Sequence, residues 1–469
     1  MHLPFLGQRG SNIALVDSAS GRQWTYDELD EEVSLRAEAL STGGGVVVLL
    51  CMNRVETVFD YLAALTAGLA VIPLDAGIDP ARLKYILDTY SPEWVLGSPA
   101  GSQYENFAQF DVSRFRNVAI EKLPPTCPDL AILLSTSGST GSPKMVRLTA
   151  ANISANTESI SASLRLSEHD RAITTMPLHY SYGLSVLNTH LAAGASVVIS
   201  QASVVDTEFW DAVDKYSVTS FAGVPYTFAM LKRLRYSPAK TPSVKKVTQA
   251  GGRLDPDSIT YFNTLFDEQG IEFFIMYGQT EAGPRISCLP PERLADKLGS
   301  AGIVMSGGQI HIGELGNRGA VNDPGEVIYV GPNVMLGYAN SRLDLTCEDS
   351  NKGVLHTGDI GYLDDEGFLF ITGRLKRIAK LFGARVSLDE VEALLSSLGP
   401  VAAVGGEDKL HVHHQCLDQE NVTTARKDLS LKLHVPLAAV LMHSETDFPV
   451  LPNGKVDYRT LTERHSPKE

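Results

Sequence analysis

Short runs of apolar, mostly β-branched residues alternate with amphipathic stretches over more than half of this chain. Val46–Cys51 and Ala70–Leu74 have the composition of buried strands, whereas Val55–Ala67 and Pro80–Tyr90 have helical periodicity. Because parallel strands are joined by crossover helices, this order predicts an α/β fold with two parallel-type sheets in similar subdomains. The same alternation predicts strands at Ala131–Ser135, Ala172–Met176, Ser196–Ser200, Ser220–Val224, Lys246–Ala250 and Glu272–Tyr277, and helices at Asn152–Leu164, Thr207–Tyr216, Tyr226–Leu234 and Pro256–Glu268.

The character of the sequence changes twice after this α/β region. From about Gly299 onward, glycine-rich turns and short strands predominate, which predicts a β-rich subdomain. A charged stretch then leads into a final segment with a helix at Leu388–Ser397 and several short strands. We therefore predict a core domain over 1–373, a hinge at 374–376 and a small, mobile α+β C-terminal domain over 377–469.

Composition and charge exclude several classes of partner and site. The net charge of −15, from 40 basic and 55 acidic side chains, repels nucleic acid and anionic membranes, and no apolar run reaches the length of a membrane span. The five cysteines are scattered without a CxxC pair, which disfavours both a disulfide framework and a zinc site. Met1–Gly10 lacks the pattern of a signal peptide, so we expect a soluble cytoplasmic protein whose partners are small molecules or another protein.

The loop that follows the predicted strand Ala131–Ser135 has the composition of a phosphate-binding site. Glycines allow a tight turn that points several N–H groups at one spot, hydroxyl groups add donors, and Lys144 adds a positive charge. The spacing differs from the P-loop of NTPases, because Pro143 precedes the lysine. A flexible Ser/Gly linker is the alternative, which the flanking strand and the helix near Asn152 disfavour. The loop residues concerned are Thr136, Ser137, Gly138, Ser139, Thr140 and Gly141.

Four further motifs follow this loop along the chain. They are Tyr277-Gly-Gln-Thr-Glu281, His356-Thr-Gly-Asp359, Gly373-Arg-Leu-Lys376 and Pro452-Asn-Gly-Lys-Val-Asp457. With the loop, they make the chain similar over most of its length to the acyl-adenylate-forming superfamily, which includes acyl- and aryl-CoA synthetases, adenylation domains of nonribosomal peptide synthetases, and luciferase. The resemblance implies that ATP and Mg²⁺ activate a carboxylic acid as acyl-AMP, with release of pyrophosphate, before the acyl group passes to a thiol.

The resemblance also assigns a role to particular residues of each motif. Glu281 would bind Mg²⁺ as a hard oxygen ligand, Thr280 would contact a phosphate, and Asp359 would accept hydrogen bonds from the ribose hydroxyls. Taken singly, each motif also fits a structural role, such as an aspartate in a turn. The nucleotide-binding residues implied are Thr136, Ser137, Gly138, Ser139, Thr140, Gly141, Tyr277, Gly278, Asp359 and Arg374, and the catalytic residues are Lys144, Thr280, Glu281 and Lys455.

The resemblance relates Lys455 and Lys376 to a movement of the C-terminal domain. By resemblance, Lys455 reaches the acid's carboxylate and the ATP from a Pro-Asn-Gly turn, although a lysine on a loop is more often solvated. Adenylation needs Lys455 at the reacting groups, whereas thioester formation needs room for the thiol. The family therefore rotates its small domain between the two steps, and Lys376 would be the hinge.

The acid-binding pocket of the family lies after Met176–Leu184 and near Phe221–Pro225 and Gln249–Gly252. No acidic residue occurs between Asp170 and Asp206, so the ammonium group of an amino acid would lack a partner. We therefore predict an aryl or acyl acid rather than an α-amino acid as substrate. The predicted pocket residues are His179, Tyr182, Gly223, Gly251 and Gly252.

Three functional hypotheses remain at this point. The leading one is an acid–thiol ligase that uses CoA. The second is an enzyme that loads the acid onto the phosphopantetheine thiol of a carrier protein, because both acceptors present the same thiol. The third is a degenerate binding scaffold, which the intact Lys144, Glu281, Asp359 and Lys455 oppose.

A group of histidines near the C-terminus raises the question of a metal site. His411, His413 and His414 are followed by Cys416. Side-chain alternation on a strand near the surface explains this spacing, so we predict no metal ion there.

Overall fold

The fold was obtained as a computed structural model. The structure describes residues 10–40, 44–99, 102–118, 125–135, 144–316, 319–346, 348–381, 384–406, 408–415, 417–433, 435–450 and 456–465. The predicted phosphate-loop residues 136–143 and the predicted catalytic Lys455 lie outside these residues, as does the side chain of Lys376.

Helices and strands alternate through most of the described chain. The helices are α1 (Tyr26–Leu40), α2 (Val55–Thr66), α3 (Pro80–Tyr90), α4 (Ala150–Ser163), α5 (Ser181–Ala193), α6 (Thr207–Lys215), α7 (Pro225–Arg233), α8 (Pro256–Asp267), α9 (Leu388–Leu395), α10 (Gln419–Lys432) and α11 (Tyr458–Glu463). The strands are β1 (Ile13–Asp17), β2 (Gln23–Thr25), β3 (Gly45–Cys51), β4 (Leu69–Asp75), β5 (Trp94–Leu96), β6 (Phe107–Gln109), β7 (Phe115–Asn117), β8 (Leu130–Ser135), β9 (Met145–Thr149), β10 (Arg171–Ile173), β11 (Ser196–Ile199), β12 (Ser220–Gly223), β13 (Lys246–Gln249), β14 (Glu272–Tyr277), β15 (Ser287–Leu289), β16 (Ile303–Val304), β17 (Gln309–Ile312), β18 (Gly325–Val330), β19 (Gly337–Ala339), β20 (Val354–Leu363), β21 (Leu369–Arg374), β22 (Ile378–Leu381), β23 (Ala384–Ser387), β24 (Val401–Gly406), β25 (Lys409–His414) and β26 (Val440–Ser444).

Two large sheets make up the first compact unit, which comprises residues 1–309 and 329–355. One has the strand order β19-β9-β8-β4-β3-β5-β7-β6, and the other β16-β15-β14-β13-β12-β10-β11-β1-β2. Their centres are parallel, with β3 between β4 and β5 and with β10 to β14 side by side. Every residue of β3 is buried, as expected for a central strand covered by helices on both faces. Two parallel-type sheets were predicted from the sequence, and the structure has them.

The predicted phosphate loop joins two paired strands. β8 and β9 are antiparallel, with Ser135 opposite Met145, so the segment 136–143 connects the two strands of a hairpin. The strand β9 was not predicted, since its buried residues Met145–Thr149 were assigned to the approach to a helix. Helix α4 begins at Ala150, where Thr149 and Asn152 form a reciprocal capping box.

The second compact unit comprises residues 310–328 and 356–469. Its C-terminal part contains the β22–β23 hairpin and the sheet β24-β25-β26, with a core shared with α9 and α10. The division at residue 355 differs from the predicted boundary after 373, because β20 and β21 pair and hold Asp359 opposite Arg374 within one unit. The hinge at 374–376 therefore follows a strand of this unit, and it remains a prediction.

The histidines of β25 are more deeply placed than the sequence analysis predicted. His411, His413 and His414 are only 8%, 1% and 4% exposed. Helix α11 covers the sheet on one side, where Leu461 packs with Ala402 and Val404. This cover explains why alternation alone gave the wrong expectation of a strand near the surface.

None of the described helices combines the length and the apolar character that crossing a bilayer requires.

Candidate active site

Glu281 and Lys144 lie on either side of one tyrosine in the first unit. Glu281 lies in a short 3-10 helix that follows β14, and its Oε1 accepts a hydrogen bond of 2.8 Å from the Tyr338 hydroxyl. Lys144 directly precedes β9, which pairs with the strand that carries Tyr338, and its Nζ lies 5.6 Å from the centroid of the Tyr338 ring. Burial and the charge of Glu281 raise the pKa of Tyr338, which keeps this phenol a hydrogen-bond donor at neutral pH.

The carboxylate of Glu281 keeps capacity for a further ligand. It forms no ion pair with any residue that the structure describes, and it is half-buried. A carboxylate that accepts one hydrogen bond retains several oxygen lone pairs, which is what a hard divalent cation requires. The geometry therefore fits the predicted magnesium ligand.

The neighbours of Glu281 in its motif are held by the fold. Tyr277 ends β14, and its carbonyl accepts a hydrogen bond of 2.9 Å from the Ile286 amide. A side chain at Gly278 would place a Cβ 2.1 Å from the Pro284 carbonyl oxygen, so only glycine fits this close approach. Thr280 Oγ1 lies 3.4 Å from Ser181 Oγ, at the start of α5. The motif thus folds back on itself and projects Thr280 and Glu281 from the end of a central strand.

Asp359 and Arg374 form an ion pair in the second unit. They lie opposite each other on β20 and β21, and Arg374 Nε donates to Asp359 Oδ1 at 2.7 Å. The Asp359 side chain is 3% exposed, whereas that of Arg374 is 62% exposed. The sequence-based prediction placed both residues at the nucleotide, and the structure brings them together as a pair.

The predicted hinge lies in a short 3-10 turn, Leu375–Arg377. The residue after Lys376 is firmly attached to the second unit, because Arg377 Nη2 forms an ion pair of 2.7 Å with Glu392. The Arg377 guanidinium also lies 3.7 Å from the centroid of the Tyr458 ring. The turn is therefore bounded by Arg374 and Arg377, both tied to partners of the same unit.

The predicted pocket residues differ in their surroundings. Tyr182 is fully buried on α5, and its hydroxyl bonds with Thr248 Oγ1 at 2.8 Å. His179 is half-buried, and burial lowers its pKa; its Nδ1 has no hydrogen-bond partner among the described residues. Each of the three glycines leaves space for a neighbouring side chain. A Cβ at Gly223 would lie 2.7 Å from Phe228, one at Gly251 would lie 3.0 Å from Tyr180, and one at Gly252 would lie 3.1 Å from Pro225.

Tyr182 lines a small cavity of about 20 Å³ between α5 and the second sheet. That volume holds roughly one water molecule. Polar groups meet there, because His190 Nε2 lies 3.1 Å from Ser220 Oγ, and Lys246 pairs with Asp170 at 2.7 Å. Burial lowers the pKa of His190 to about 4, so its imidazole is neutral at pH 7. His179 and the three predicted glycines are not among the residues that line this cavity.

Arg285 is a buried cation at the same cavity. It is 4% exposed, and its Cζ lies 4.1 Å above the Tyr182 ring centroid. Neither Nε nor Nη2 has a hydrogen-bond partner among the described residues, and no described carboxylate pairs with it. Burial lowers its pKa, although a guanidinium stays charged at neutral pH. An unpaired buried charge costs several kcal/mol, so this position favours an anionic ligand.

Sequence reasoning missed Tyr338 and Arg285. Tyr338 lies 57 residues from Glu281 along the chain and belongs to none of the five motifs. Arg285 follows the Glu281 motif closely, but sequence alone did not show whether its side chain is buried or solvated. The signal available in the sequence was a charged residue, Arg285, among the mostly apolar residues that follow Glu281.

Comparisons with known proteins identify the family of this chain. A family model described as AMP-binding enzyme matches residues 6–339. The 2-succinylbenzoate–CoA ligase of Bacillus velezensis is 30% identical over 410 residues, which cover 84% of this chain and 81% of that protein. The oxalate–CoA ligase of Arabidopsis thaliana is 27% identical over 494 residues, which cover 95% and 94%.

A solved structure extends the comparison to the fold. The o-succinylbenzoate coenzyme A synthetase from Bacillus subtilis, in complex with ATP and magnesium ion, superposes with a TM-score of 0.78 at 26% identity. The superposition covers 97% of this chain and 97% of that one. The predicted α/β fold class is therefore confirmed.

Proposed function

Because this chain belongs to the AMP-binding enzyme family and is an AMP-forming acid–thiol ligase, we propose that it activates an aryl or acyl acid and transfers it to CoA. The first step joins the acid's carboxylate to the α-phosphate of ATP and releases pyrophosphate. In the second step the CoA sulfur attacks the acyl carbon, and AMP leaves. The arrangement of Lys144, Tyr338 and Glu281 carries the proposal, since a cation and a carboxylate that can take a further ligand both contact one phenol.

In this proposal Lys144, Thr280 and, through Mg²⁺, Glu281 stabilise the negative charge of the ATP phosphates. Lys144 directly follows the segment 136–143 and attracts the phosphates whose charge grows as pyrophosphate departs. Glu281 holds Mg²⁺, with its Oε1 fixed by the Tyr338 hydroxyl, and Thr280 donates to a phosphate oxygen. When bound, the ion neutralises phosphate oxygens in the transition state. Tyr277 and Gly278 border the adenine.

The residues of the second unit act on the sugar and the acid. Asp359 accepts hydrogen bonds from the ribose hydroxyls, while Arg374, paired with it at 2.7 Å, holds the carboxylate in position. Lys455 bridges the acid's carboxylate and the α-phosphate during adenylation. Lys376 is the pivot at which the backbone changes direction between the two steps. These four roles rest on the motifs and on membership of the family.

CoA is favoured as the acceptor because the relatives are named CoA ligases. Transfer to the phosphopantetheine arm of a carrier protein is the alternative. Mixing the enzyme, ATP and acid with either CoA or a phosphopantetheinylated carrier separates the two, because only the true acceptor becomes acylated at a rate that matches adenylation.

The identity of the acid is constrained by charge. In this proposal the acid binds beside Tyr182, where a substrate ammonium group would meet Arg285, and no acidic residue lies between Asp170 and Asp206 to balance it. This supports an aryl or acyl acid and opposes an α-amino acid. The unpaired guanidinium further favours an acid that carries a second anionic group, and movement of the Arg285 side chain would enlarge the cavity beside Tyr182.

A panel of acids in the ATP–pyrophosphate exchange reaction tests this proposal. We expect exchange with aryl or acyl acids and the highest kcat/KM with acids that carry a second carboxylate. α-Amino acids should give no exchange above the acid-free rate. Exchange that is fastest with an amino acid would overturn the substrate class, and no exchange with any acid would overturn adenylation itself.

Replacing Arg285 tests the proposed preference for a second anion. The Arg285→Met variant should fold, because replacing a buried charge by an apolar side chain is often neutral or stabilising. Its kcat/KM ratio for a dicarboxylic acid over the matching monocarboxylic acid should fall by about 100-fold, the loss of one charge-assisted contact. The exposed Arg233→Met, at the end of α7, is the matched control. An unchanged ratio in a folded Arg285→Met enzyme would contradict anion binding by Arg285.

A further inference from the structure

Four histidines of the second unit converge on one face of its C-terminal sheet. His411 and His413 are two residues apart on β25, so their side chains lie on the same face. His443 lies on the parallel neighbour β26, directly opposite His413. His465 lies just after α11, which covers that face. The imidazoles thus come from three segments that are far apart in the sequence.

The ring nitrogens of these histidines point towards one another. His411 Nδ1 lies 3.0 Å from His443 Nε2, and the ring centroids of His411 and His465 are 3.8 Å apart. One ligand nitrogen each from His411, His443 and His465 lies within 4.8 Å of the other two. In a tetrahedral zinc site with Zn–N bonds of about 2.0–2.1 Å, ligand nitrogens are about 3.3 Å apart. Rotation of the stacked His411 and His465 rings would turn one nitrogen of each, with one of His443, towards a common ion.

The close ring nitrogens pair as hydrogen bonds, and the same nitrogens could instead share a cation. Two ring nitrogens that face each other at 3.0 Å cannot both carry a proton, so at least one presents a lone pair to its neighbour. The same holds for His465 Nε2 and His413 Nε2, which are also 3.0 Å apart. A bound cation would replace these hydrogen bonds, and neutral imidazole nitrogens are ligands that a borderline-soft cation binds.

A carboxylate supports the cluster from outside. His413 Nδ1 lies 2.7 Å from Glu445 Oε1, and Glu445 in turn pairs with Arg464 at 2.9 Å. Carboxylates commonly orient the histidines of metal sites in this way, by fixing the tautomer and the ring.

We propose that His411, His443 and His465 bind one divalent transition-metal ion of the zinc class, with a water as the fourth ligand. His413, oriented by Glu445, borders the site. The proposal reverses the sequence-based prediction of no metal, and it is independent of the proposed acid and acceptor.

The position of the site suggests what the ion does. His443 precedes, and His465 follows, the segment 451–455, whose base is closed by the bridge between Val450 and Val456. The Asp457 amide also donates to the Pro449 carbonyl at 2.7 Å. A bound ion would therefore join both flanks of this segment to β25 and stabilise the second unit against unfolding.

Zinc binding by the full-length chain, made without a histidine tag, tests the site. After treatment with a chelator and dialysis against Zn²⁺, elemental analysis should find about one zinc per chain, and the thermal midpoint should rise with Zn²⁺. Co²⁺ in place of zinc should give the intense visible bands of tetrahedral coordination. Competition with a coloured chelator then gives the affinity.

Variants separate this site from adventitious binding. His443→Gln and His465→Gln should each weaken zinc binding by more than about 100-fold, and Glu445→Gln, which acts only through the bordering His413, by less. His169→Gln, at an exposed histidine of the first unit, should bind as the wild type does. Should His443→Gln fail to fold, His465→Gln at the chain's end still decides the question. Equal zinc affinity in wild type and His465→Gln, or no saturable binding by the folded wild type, would overturn the proposal.

Discussion

Replacing Lys455 by alanine is expected to abolish formation of acyl-AMP while thioester synthesis from pre-formed acyl-AMP continues near the wild-type rate. The lysine is proposed to neutralise the attacking carboxylate and the α-phosphate, two charges that meet only in the first step. Loss of one such contact lowers kcat by roughly 10²- to 10³-fold or more. The first step is measured by acid-dependent ATP–pyrophosphate exchange, and the second by mixing CoA with synthetic acyl-AMP.

A matched lysine and the ratio of the two rates make this test specific. Lys427, exposed on α10 of the same unit, provides the control variant Lys427→Ala, which should leave both steps unchanged. An equal loss of both steps in Lys455→Ala would contradict the assigned role, since damage to folding or to nucleotide binding affects both. Wild-type exchange in Lys455→Ala would exclude the lysine from adenylation.

The fold could be predicted where burial follows a simple pattern. The run Val46–Cys51 is apolar throughout, and it forms a central parallel strand whose every residue is buried. Helix α5 was missed because Ser181, Asn188 and His190 are polar yet buried, which removes the amphipathic pattern that marks a surface helix. Some of its polar groups have tertiary partners that no local pattern can reveal, such as Ser220 for His190.

The candidate site also contains some residues that could be predicted from the sequence and others that could not. Glu281, Thr280 and Asp359 belong to short motifs that resemble those of a known family, so roles could be predicted for them from the sequence. Tyr338 could not, because its contact with Glu281 arises only when β19 pairs with β9. Arg285 was not among the predicted pocket residues, although it lies beside Tyr182, which was. Whether a charged side chain is solvated or buried depends on tertiary packing.

Substituting glutamine for Glu281 is expected to raise the Mg²⁺ concentration needed for half-maximal adenylation by about 10-fold or more, and to lower kcat by roughly 10²-fold. Glutamine keeps an oxygen that can accept the hydrogen bond from Tyr338, now 2.8 Å long, so local packing is preserved. What is removed is the negative charge that a hard cation prefers. Mg²⁺ titrations of ATP–pyrophosphate exchange measure both quantities.

Two further variants show whether the charge of Glu281 or its contact with Tyr338 matters. Tyr338→Phe removes the hydrogen bond but leaves the carboxylate, so its Mg²⁺ requirement should rise by less than that of Glu281→Gln. Glu268→Gln, at an exposed site beyond α8, should titrate as the wild type does. An unchanged Mg²⁺ titration in Glu281→Gln would contradict metal binding by this residue. If Tyr338→Phe instead had the larger effect, Glu281 would be a positioning residue for the tyrosine, and the phenol beside Lys144 would be the group that contacts the phosphates.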